Sequence, residues 1–382
     1  MRPSASVVKP ILFVDLALLF AIVPLLPAYQ SRFDLSKAQV GVVVAAYSAA
    51  VLVAAVPVGR VADRVGARRM SLIGIWLLAV STLGFALAGG FWTLVIARAG
   101  QGLSSSISWS AGLSWLSSAT PLHRRGAVFG SAMAYASAGG LLGPVFGGSL
   151  GQAYGVRATF VVLALVSAGL AVLAGLAPDA PAPRIGHVSL RETLGRALSR
   201  GPLLAAIVIS ATVAVVSGTL ETLVPLRLGD DGYSAAVITV VLTLAGVLGV
   251  ITNATVGRMY DRFGGVPIAV VAMAGTCVTL AALAAARNGL GVAAVYVVGS
   301  PFITGQYAVQ FPLAADGADR VEVGESSAFG VINLAWGLGF MVGPAAGAAL
   351  ASATSDAAAY LLLLVLSGAV ASRIRILGTL TA

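Results

Sequence analysis

Apolar runs of about 20 residues recur along the chain, and short polar segments separate them. A run of that length is what an α-helix needs to cross the hydrocarbon core of a bilayer. The pattern predicts twelve transmembrane helices, at 10–29, 38–59, 70–89, 92–117, 127–150, 156–177, 203–226, 234–256, 266–286, 290–314, 326–350 and 357–377. The predicted fold class is therefore an all-α membrane protein.

The composition agrees with this class and limits the chemistry. Of the 382 residues, 58% are hydrophobic and 10% are charged, whereas soluble domains carry about 25% charged residues. The only cysteine, Cys277, excludes an internal disulfide and a cysteine metal cluster. His123 and His187 fall between predicted spans, which leaves carboxylates as the proton carriers within the membrane. We expect no metal site and no bound cofactor.

The longest polar segment divides the chain into two halves. It covers 178–202 and begins with the proline-rich stretch PDAPAPRIGH. Within it, Ser189 and Glu192 have the spacing of a capping box, followed by leucines on one helical face, so we predict a short amphipathic helix on the membrane surface. The predicted domains are a six-helix half at 1–177, this cytoplasmic linker, and a six-helix half at 203–382.

The two halves repeat each other. The stretch GRVADRVG at 59–66 recurs as GRMYDRFG at 257–264, an offset of 198 residues. A second set recurs at an offset of 200: Phe129, Gly130, Gly139, Gly143, Pro144 and Gly147 reappear as Phe329, Gly330, Gly339, Gly343, Pro344 and Gly347. Parallel repeats of six spans are typical of transporters that bind substrate near the bilayer midplane between two pseudo-symmetric halves.

The net charge of +9 reflects topology rather than nucleic-acid binding. If the N-terminus is cytoplasmic, the cytoplasmic segments and span ends hold 17 Lys and Arg residues and the outer ones hold five; the remaining cation, Arg98, lies well inside the fourth predicted span. This bias is the positive-inside pattern. It predicts a multi-pass protein of the cell membrane with both termini in the cytoplasm.

This topology is directly testable by labelling. Tags at residues 185 and 382 should both be cytoplasmic, and a cysteine introduced at residue 231 should react with an impermeant reagent added from outside, because the charge bias fixes the orientation of every span. Reactivity of residue 231 from the cytoplasm alone would overturn the topology.

Three segments resemble one family of membrane proteins. The polar segment after the second span contains Gly59, Asp63, Arg64, Gly66, Arg68 and Arg69, with Ala67 where a basic residue is usual, and it resembles the cytoplasmic loop motif of the major facilitator superfamily. In the fifth span, the antiporter motif of the twelve-span drug:proton antiporter family is matched by Gly130, Gly139, Gly143, Pro144, Gly147 and Gly148. Arg98, Gln101 and Gly102 have the spacing of that family's arginine motif.

The resemblance implies the major facilitator fold and roles for both motifs. The loop motif and its repeat imply a cytoplasmic gate formed by Gly59, Asp63, Arg64, Gly66, Arg68, Asp261 and Arg262. The antiporter motif implies export. Its glycines allow close helix packing, and we expect them to contact the second span or to pack across the halves.

Within that family, the chain is most similar to the vesicular amine transporter-like branch. The stretch DLALLFAIVPLLP places Asp15 nine residues before Pro24, and LETLVP places Glu221 four residues before Pro225. Where that branch carries acids in spans 10 and 11 and a lysine in span 2, this chain has Tyr307, Asn333 and Tyr47. The departure weakens the case for a biogenic-amine substrate but leaves the proton-coupled class intact.

Asp15, Arg98 and Glu221 are the candidates for coupling protons to substrate. An acid near the bilayer centre costs about 2.5–3.5 kcal/mol on insertion scales, so it usually faces a cavity or a partner. Desolvation favours the neutral form of a carboxylate, which allows proton uptake. The alternatives are an interfacial acid, a structural arginine bonded to backbone carbonyls, and a solvated rim acid. Candidate cavity residues are Tyr47, Gln101, Trp109, Tyr135, Asn253, Gln306, Tyr307, Gln310, Asn333 and Trp336.

These features predict a proton-coupled antiporter that exports small lipophilic molecules, cations among them, by alternating access. Its partners would be the substrate, protons and the lipid bilayer, without nucleic acid, and we expect a monomer. One alternative is a proton-coupled sugar or metabolite exporter on the same fold, because fold does not fix substrate. Another is a membrane sensor or partner subunit that transports nothing. The sequence offers no histidine cluster and no paired acids within one span, so we do not expect an enzyme.

Overall fold

The computed structural model describes residues 7–118, 125–177, 201–320 and 325–379. These residues are α-helical almost throughout, which confirms the all-α prediction. The helices are α1 (Val8–Ala21), α2 (Leu26–Phe33), α3 (Lys37–Val65), α4 (Ala67–Ala86), α5 (Phe91–Ile107), α6 (Leu113–Ser118), α7 (Arg125–Leu176), α8 (Pro202–Asp230), α9 (Ala235–Phe263), α10 (Gly265–Ala285), α11 (Gly289–Arg320), α12 (Glu325–Ala353) and α13 (Asp356–Thr379). The predicted amphipathic helix of the linker lies outside the described residues.

Ten helical stretches of the described chain are long and apolar enough to cross a membrane. One of them, Ser131–Leu176, covers both the fifth and the sixth predicted spans, and its only non-helical backbone is at Gly155, where φ is 80°. The fourth predicted span is interrupted by a π-helical turn at Ser108–Gly112. The number twelve therefore stays a prediction.

The first span is broken at its prolines, as the sequence indicates. A 3₁₀ turn at Val23–Leu25, which contains Pro24, separates α1 from α2. Proline lacks the backbone N–H that a continuous helix would need at this point. The interruption leaves the last turn of α1 with carbonyl groups that other side chains can bind.

The chain forms two compact units. The first contains the described residues of Met1–Leu35, Val42–Ile185 and Ser234–Thr243, and the second contains those of Ser36–Gly41, Gly186–Tyr233 and Leu244–Ala382. Two short segments, Ser36–Gly41 and Ser234–Thr243, group with the unit opposite to the predicted half in which they lie. The predicted boundary at the linker falls on residues that are not described, so it stays a prediction.

The core of each unit consists mainly of aliphatic side chains. In the first unit, Val8 and Leu12 of α1 pack with Trp115, Leu116 and α7 residues. In the second unit, a larger cluster joins α8 to α13 and includes Leu203, Ile209, Ile268, Met273, Leu313, Ile332 and Ile374.

Both units contain the same glycine-mediated helix contact, which agrees with the predicted duplication. In each, glycines four residues apart lie so close to the backbone or Cβ-branched side chains of another helix that a Cβ atom would clash. In the first unit, Gly139, Gly143 and Gly147 of α7 meet Phe13, Ala17 and Ala21 of α1; in the second, Gly339, Gly343 and Gly347 of α12 meet Ala211, Val215 and Thr219 of α8. The partners are themselves 198 residues apart.

This contact corrects the predicted partner of the antiporter motif. We expected the second span or a contact across the halves, but Gly139, Gly143 and Gly147 contact α1 within the first unit. Gly148 instead packs against Thr239, whose Oγ1 lies 3.4 Å from the Pro144 carbonyl oxygen. Thr239 groups with the first unit but belongs to the predicted second half, so at Gly148 the expected contact across the predicted halves is present. Gly130 lies in the part of α7 whose side-chain surroundings are not described.

The polar segment between the second and third predicted spans is helical rather than a loop. Helix α3 continues to Val65 and α4 begins at Ala67, so one residue, Gly66, makes the turn with φ 96°. The repeat does the same at Gly264, where φ is 76°. A positive φ favours glycine because it has no Cβ. Hydropathy marks where a helix leaves the membrane, whereas backbone hydrogen bonding continues through the polar residues beyond.

Candidate functional site

Asp15 lies on α1 and is buried, with 1% of its surface exposed. Its Oδ2 accepts hydrogen bonds from the Ser105 hydroxyl at 2.7 Å and from the Trp109 indole nitrogen at 2.9 Å. Its Oδ1 is buried and has no hydrogen-bond partner. One carboxylate oxygen is therefore fixed by two donors, while the other accepts no hydrogen bond of normal geometry, although the Tyr47 hydroxyl also interacts with this carboxylate.

The two donors lie on either side of the junction between α5 and the π-helical turn. Ser105 lies in the last turn of α5, and Trp109 is the second residue of the turn at Ser108–Gly112. Such turns occur often at functional sites because they redirect side chains within an otherwise regular helix. Helix α5 is joined to α4 by Ser104, whose hydroxyl donates a hydrogen bond to the Gly74 carbonyl of α4 at 2.7 Å.

Arg98 is the second buried charge of this unit and is 1% exposed. Its Nη1 donates to Gln101 Oε1 and its Nη2 donates to the Leu19 carbonyl, both at 2.9 Å. The guanidinium carbon lies 5.0 Å from the centre of the Tyr47 ring, a cation–π contact. Gln101 in turn donates to the Thr82 hydroxyl at 3.1 Å.

Arg98 thus has two kinds of interaction with α1: a hydrogen bond to the Leu19 carbonyl and an electrostatic interaction with Asp15. Leu19 lies in the last turn of α1, where carbonyls lack helical partners, and a cation there also interacts favourably with the helix dipole. The guanidinium also acts electrostatically on Asp15. The structural alternative for this arginine is therefore present in the molecule, and its role in coupling stays a prediction.

Arg98→Lys should destabilise the protein although it conserves the charge. An ammonium group cannot reproduce the planar fork that reaches both Gln101 and Leu19. Losing a buried charged hydrogen bond costs about 1.5–3 kcal/mol, so thermal unfolding in detergent should occur several degrees lower than in wild type. The exposed Arg157→Lys serves as the control, and equal unfolding temperatures for both variants would show that the fork contributes nothing.

The second unit brings a different set of predicted residues together. The Trp336 indole nitrogen donates to the Tyr307 hydroxyl at 3.3 Å, and Trp336 stacks on Phe340. Glu221 of α8 is half-buried and acts electrostatically on the phenols of Tyr296 and Tyr307. Gln306 is buried on the same helix as Tyr307 and donates to the Thr276 hydroxyl at 2.7 Å.

Other cavity candidates have no contact that joins them to these clusters among the described interactions. Tyr135 is 48% exposed, and Asn253 and Asn333 are exposed as well. Their assignment to a cavity stays a prediction.

The predicted gate residues lie at the ends of helices. Gly59, Asp63, Arg64 and Asp261 fall in the helical ends of α3 and α9, but their side-chain surroundings lie outside the described part of the structure. Arg68 donates to the Gly175 carbonyl at 2.7 Å, in the last turns of α7, where it satisfies a helix C-terminus. Arg262 is exposed beside the Phe263 ring.

Two polar contacts were not predicted from the sequence. The Tyr260 hydroxyl donates to Asp316 at 2.5 Å, and burial together with this carboxylate raises the pKa of Tyr260. Lys37, in the helical segment that groups with the second unit, lies 2.9 Å from Asp356 and 3.2 Å from Asp230. Each residue lies near the end of a predicted span, where charged and polar residues are common, so these pairings could not be predicted from hydropathy.

Comparisons with known proteins identify the family. The family model for the Major Facilitator Superfamily matches residues 10–327. The chain is 34% identical over 162 residues to the MFS-type transporter ppzB of Metarhizium rileyi, which covers 41% of this chain and 34% of that protein. It is 27% identical over 247 residues to a probable sugar efflux transporter of Helicobacter pylori, which covers 64% of this chain and 62% of that protein. The chain thus spans between a third and two thirds of the length of these relatives.

Solved structures show the same fold. A bacterial homologue of the human lysosomal transporter Spinster, in an inward-facing and occupied conformation, matches with a TM-score of 0.81 at 15% identity over 97% of this chain and 95% of that one. The nucleoside transporter NupG matches with a TM-score of 0.78 at 12% identity over 98% and 99%. Likeness at such low identity concerns the fold alone. Together with the family match, it shows that the chain is a multi-pass membrane protein that belongs to the Major Facilitator Superfamily.

Proposed function

We propose that this protein is a proton-coupled antiporter that exports small lipophilic organic molecules, cations among them, by alternating access. It would act in the cell membrane as a monomer with both termini in the cytoplasm and twelve spans in two halves. The proton gradient would be its energy source. This places it with the drug:proton antiporters and multidrug efflux proteins, in the branch that resembles vesicular amine transporters.

The observation that carries this proposal is the half-satisfied carboxylate of Asp15. Two donors hold Oδ2, so the side chain is oriented whether or not it is protonated. The buried Oδ1 accepts no hydrogen bond of normal geometry, and burial of a bare ionised oxygen is unfavourable. A proton on Oδ1 removes the charge, and a substrate cation beside it compensates the charge.

This arrangement supports exchange rather than joint binding. Because the proton and the cation relieve the same unfavourable charge, each lowers the affinity of the site for the other. The positive charge of Arg98 also acts electrostatically on this carboxylate, and a substrate cation would have to compete with that charge. A group that binds either one but not both is the minimal requirement for antiport.

The direction of transport is supported by two weaker observations. The glycines of the antiporter motif are in close contact with α1, the helix that carries Asp15. The Helicobacter relative is named as a probable efflux transporter. Its printed substrate, a sugar, favours the second candidate function, which is proton-coupled export of sugars or other neutral metabolites.

Transport in inverted membrane vesicles separates these candidates. The vesicle lumen is acidified, and an acid-sensitive dye reports the gradient while lipophilic cations and neutral sugars are added in turn. The proposal predicts that a cation partly collapses the gradient, because substrate enters as protons leave, and that sugars do not. A response to sugars alone would favour the metabolite exporter. No response to any compound, with the protein present in the vesicles, would favour the non-transporting subunit.

A further inference from the structure

A buried glutamine in the second unit has a carbonyl oxygen without a partner. Gln306 of α11 is 1% exposed, and its Nε2 donates to the Thr276 Oγ1 of α10 at 2.7 Å. The Thr276 hydroxyl already donates to the Ala272 carbonyl at 2.9 Å, so toward Gln306 it can only accept. The orientation of the amide is therefore fixed, and Oε1 is buried with no hydrogen-bond partner.

A second bare carbonyl oxygen lies one helical turn away. Gln310 is 3% exposed, and its Oε1 is also buried without a partner. Residues four apart lie on the same face of a helix. Buried polar atoms nearly always have a partner, so two unpaired acceptors on one face indicate that a hydrogen-bond donor binds here.

The first unit shows what such a donor can be. Gln101 donates to the Thr82 hydroxyl, as Gln306 does to Thr276. The Oε1 of Gln101, however, accepts a hydrogen bond from the Arg98 guanidinium. The first unit therefore supplies a cationic N–H donor to its glutamine from its own chain, whereas the glutamine of the second unit has an open acceptor.

We propose that Gln306 and Gln310 form a subsite that accepts hydrogen bonds from an N–H-bearing cationic group of the substrate, such as a primary ammonium or a guanidinium. Because both free atoms are carbonyl oxygens, which can only accept hydrogen bonds, the subsite favours a ligand group that carries an N–H or O–H donor. Glu221 acts electrostatically on Tyr307, in the same turn of α11, and this negative charge favours a cation over a neutral hydroxyl. The inference deepens the proposed function and rests on it for the identity of the ligand as the exported compound.

A matched pair of probes tests the subsite by equilibrium binding to the full-length protein in detergent. The pair is a naphthylalkyl primary ammonium and its trimethylammonium counterpart, which has the same charge but no N–H donor. Wild type should bind the primary ammonium about 10- to 150-fold more tightly, the range for one hydrogen bond to a charged group. Gln306→Leu and Gln310→Leu should each reduce this preference to about twofold or less, chiefly by weakening the primary ammonium.

The control variant is Thr279→Val. Thr279 is buried on α10 in the same helix contact, but its hydroxyl donates to the Gly275 carbonyl of its own helix. It should bind both probes as wild type does. If one glutamine variant does not fold, the other still decides the question.

Three results would overturn the subsite: no binding of the primary ammonium to wild type, no preference between the probes, or equal weakening of both probes by the glutamine variants. The last would show that the glutamines shape the site without accepting a hydrogen bond from the ammonium group. The binding assay involves no proton gradient. Failure of the antiport proposal would therefore appear separately, as normal proton exchange in Asp15→Asn with the probe preference intact.

Discussion

Asp15→Asn is expected to reduce proton-driven export of cations to background while the protein remains folded in the membrane. Asparagine keeps the shape of the side chain and can still accept from Ser105 and Trp109 through its carbonyl oxygen, but it cannot take up a proton. Asp15→Glu should keep part of the activity with an altered pH dependence, because the carboxylate is displaced by one methylene. Export is measured in inverted vesicles together with the pH of the lumen.

The control for this variant is Asp34→Asn. Asp34 is an exposed acid in a left-handed turn after α2, a conformation that asparagine also adopts readily. It should export at the wild-type rate. If Asp15→Asn exported a cation at the normal rate with normal proton exchange, Asp15 would be a structural acid, and Glu221 would become the leading proton site.

Gly143→Leu is expected to abolish export without removing the protein from the membrane. A Cβ atom at this position would lie 2.5 Å from the Ala17 carbonyl oxygen and 3.0 Å from the Phe20 Cβ, so α1 and α7 must separate. Ala17 is two residues from Asp15. Displacement of α1 would therefore move the carboxylate away from Ser105 and Trp109, which are held by a different helix.

The matched control lies in the same helix. A Cβ atom at Gly169 of α7 would meet nothing within 4 Å, so Gly169→Leu should export normally. Surface expression and thermal unfolding of both variants separate misfolding from loss of transport. Normal export by a well-expressed Gly143→Leu would reduce the antiporter motif to ordinary helix packing.

Hydropathy predicted the helical class and the position of most helices, because apolar length is a direct physical requirement for crossing a bilayer. The hydropathy prediction failed where the helical hydrogen-bonding pattern of the backbone does not follow the apolar character of the side chains. The polar stretch around Gly66 is helical on both sides of one residue, and the apolar fourth span contains a π turn at Ser108–Gly112. Neither feature changes the local hydrophobicity that the prediction measures.

Part of the candidate site was also predictable from the physical cost of placing a residue in the bilayer. Asp15 and Arg98 stood out because charges are costly inside an apolar run. Trp109 was among the predicted cavity residues, but its contact with Asp15 was not predicted, and Ser105 was not a candidate. Both are about 90 residues from Asp15, and a serine or tryptophan in a membrane helix carries no signal of its contact. The glycines of α7 were recognised, but their contact with α1 depends on tertiary packing across more than 100 residues.

Proton release on cation binding tests most directly whether Asp15 binds either a proton or a cation. A lipophilic cation is added to purified protein in weakly buffered detergent solution, and a pH indicator records protons released over a range of pH. Wild type should release protons, and its affinity for the cation should rise with pH because the two ligands compete. Asp15→Asn should bind without releasing protons and without that pH dependence. Equal proton release by Asp15→Asn and wild type would contradict the account.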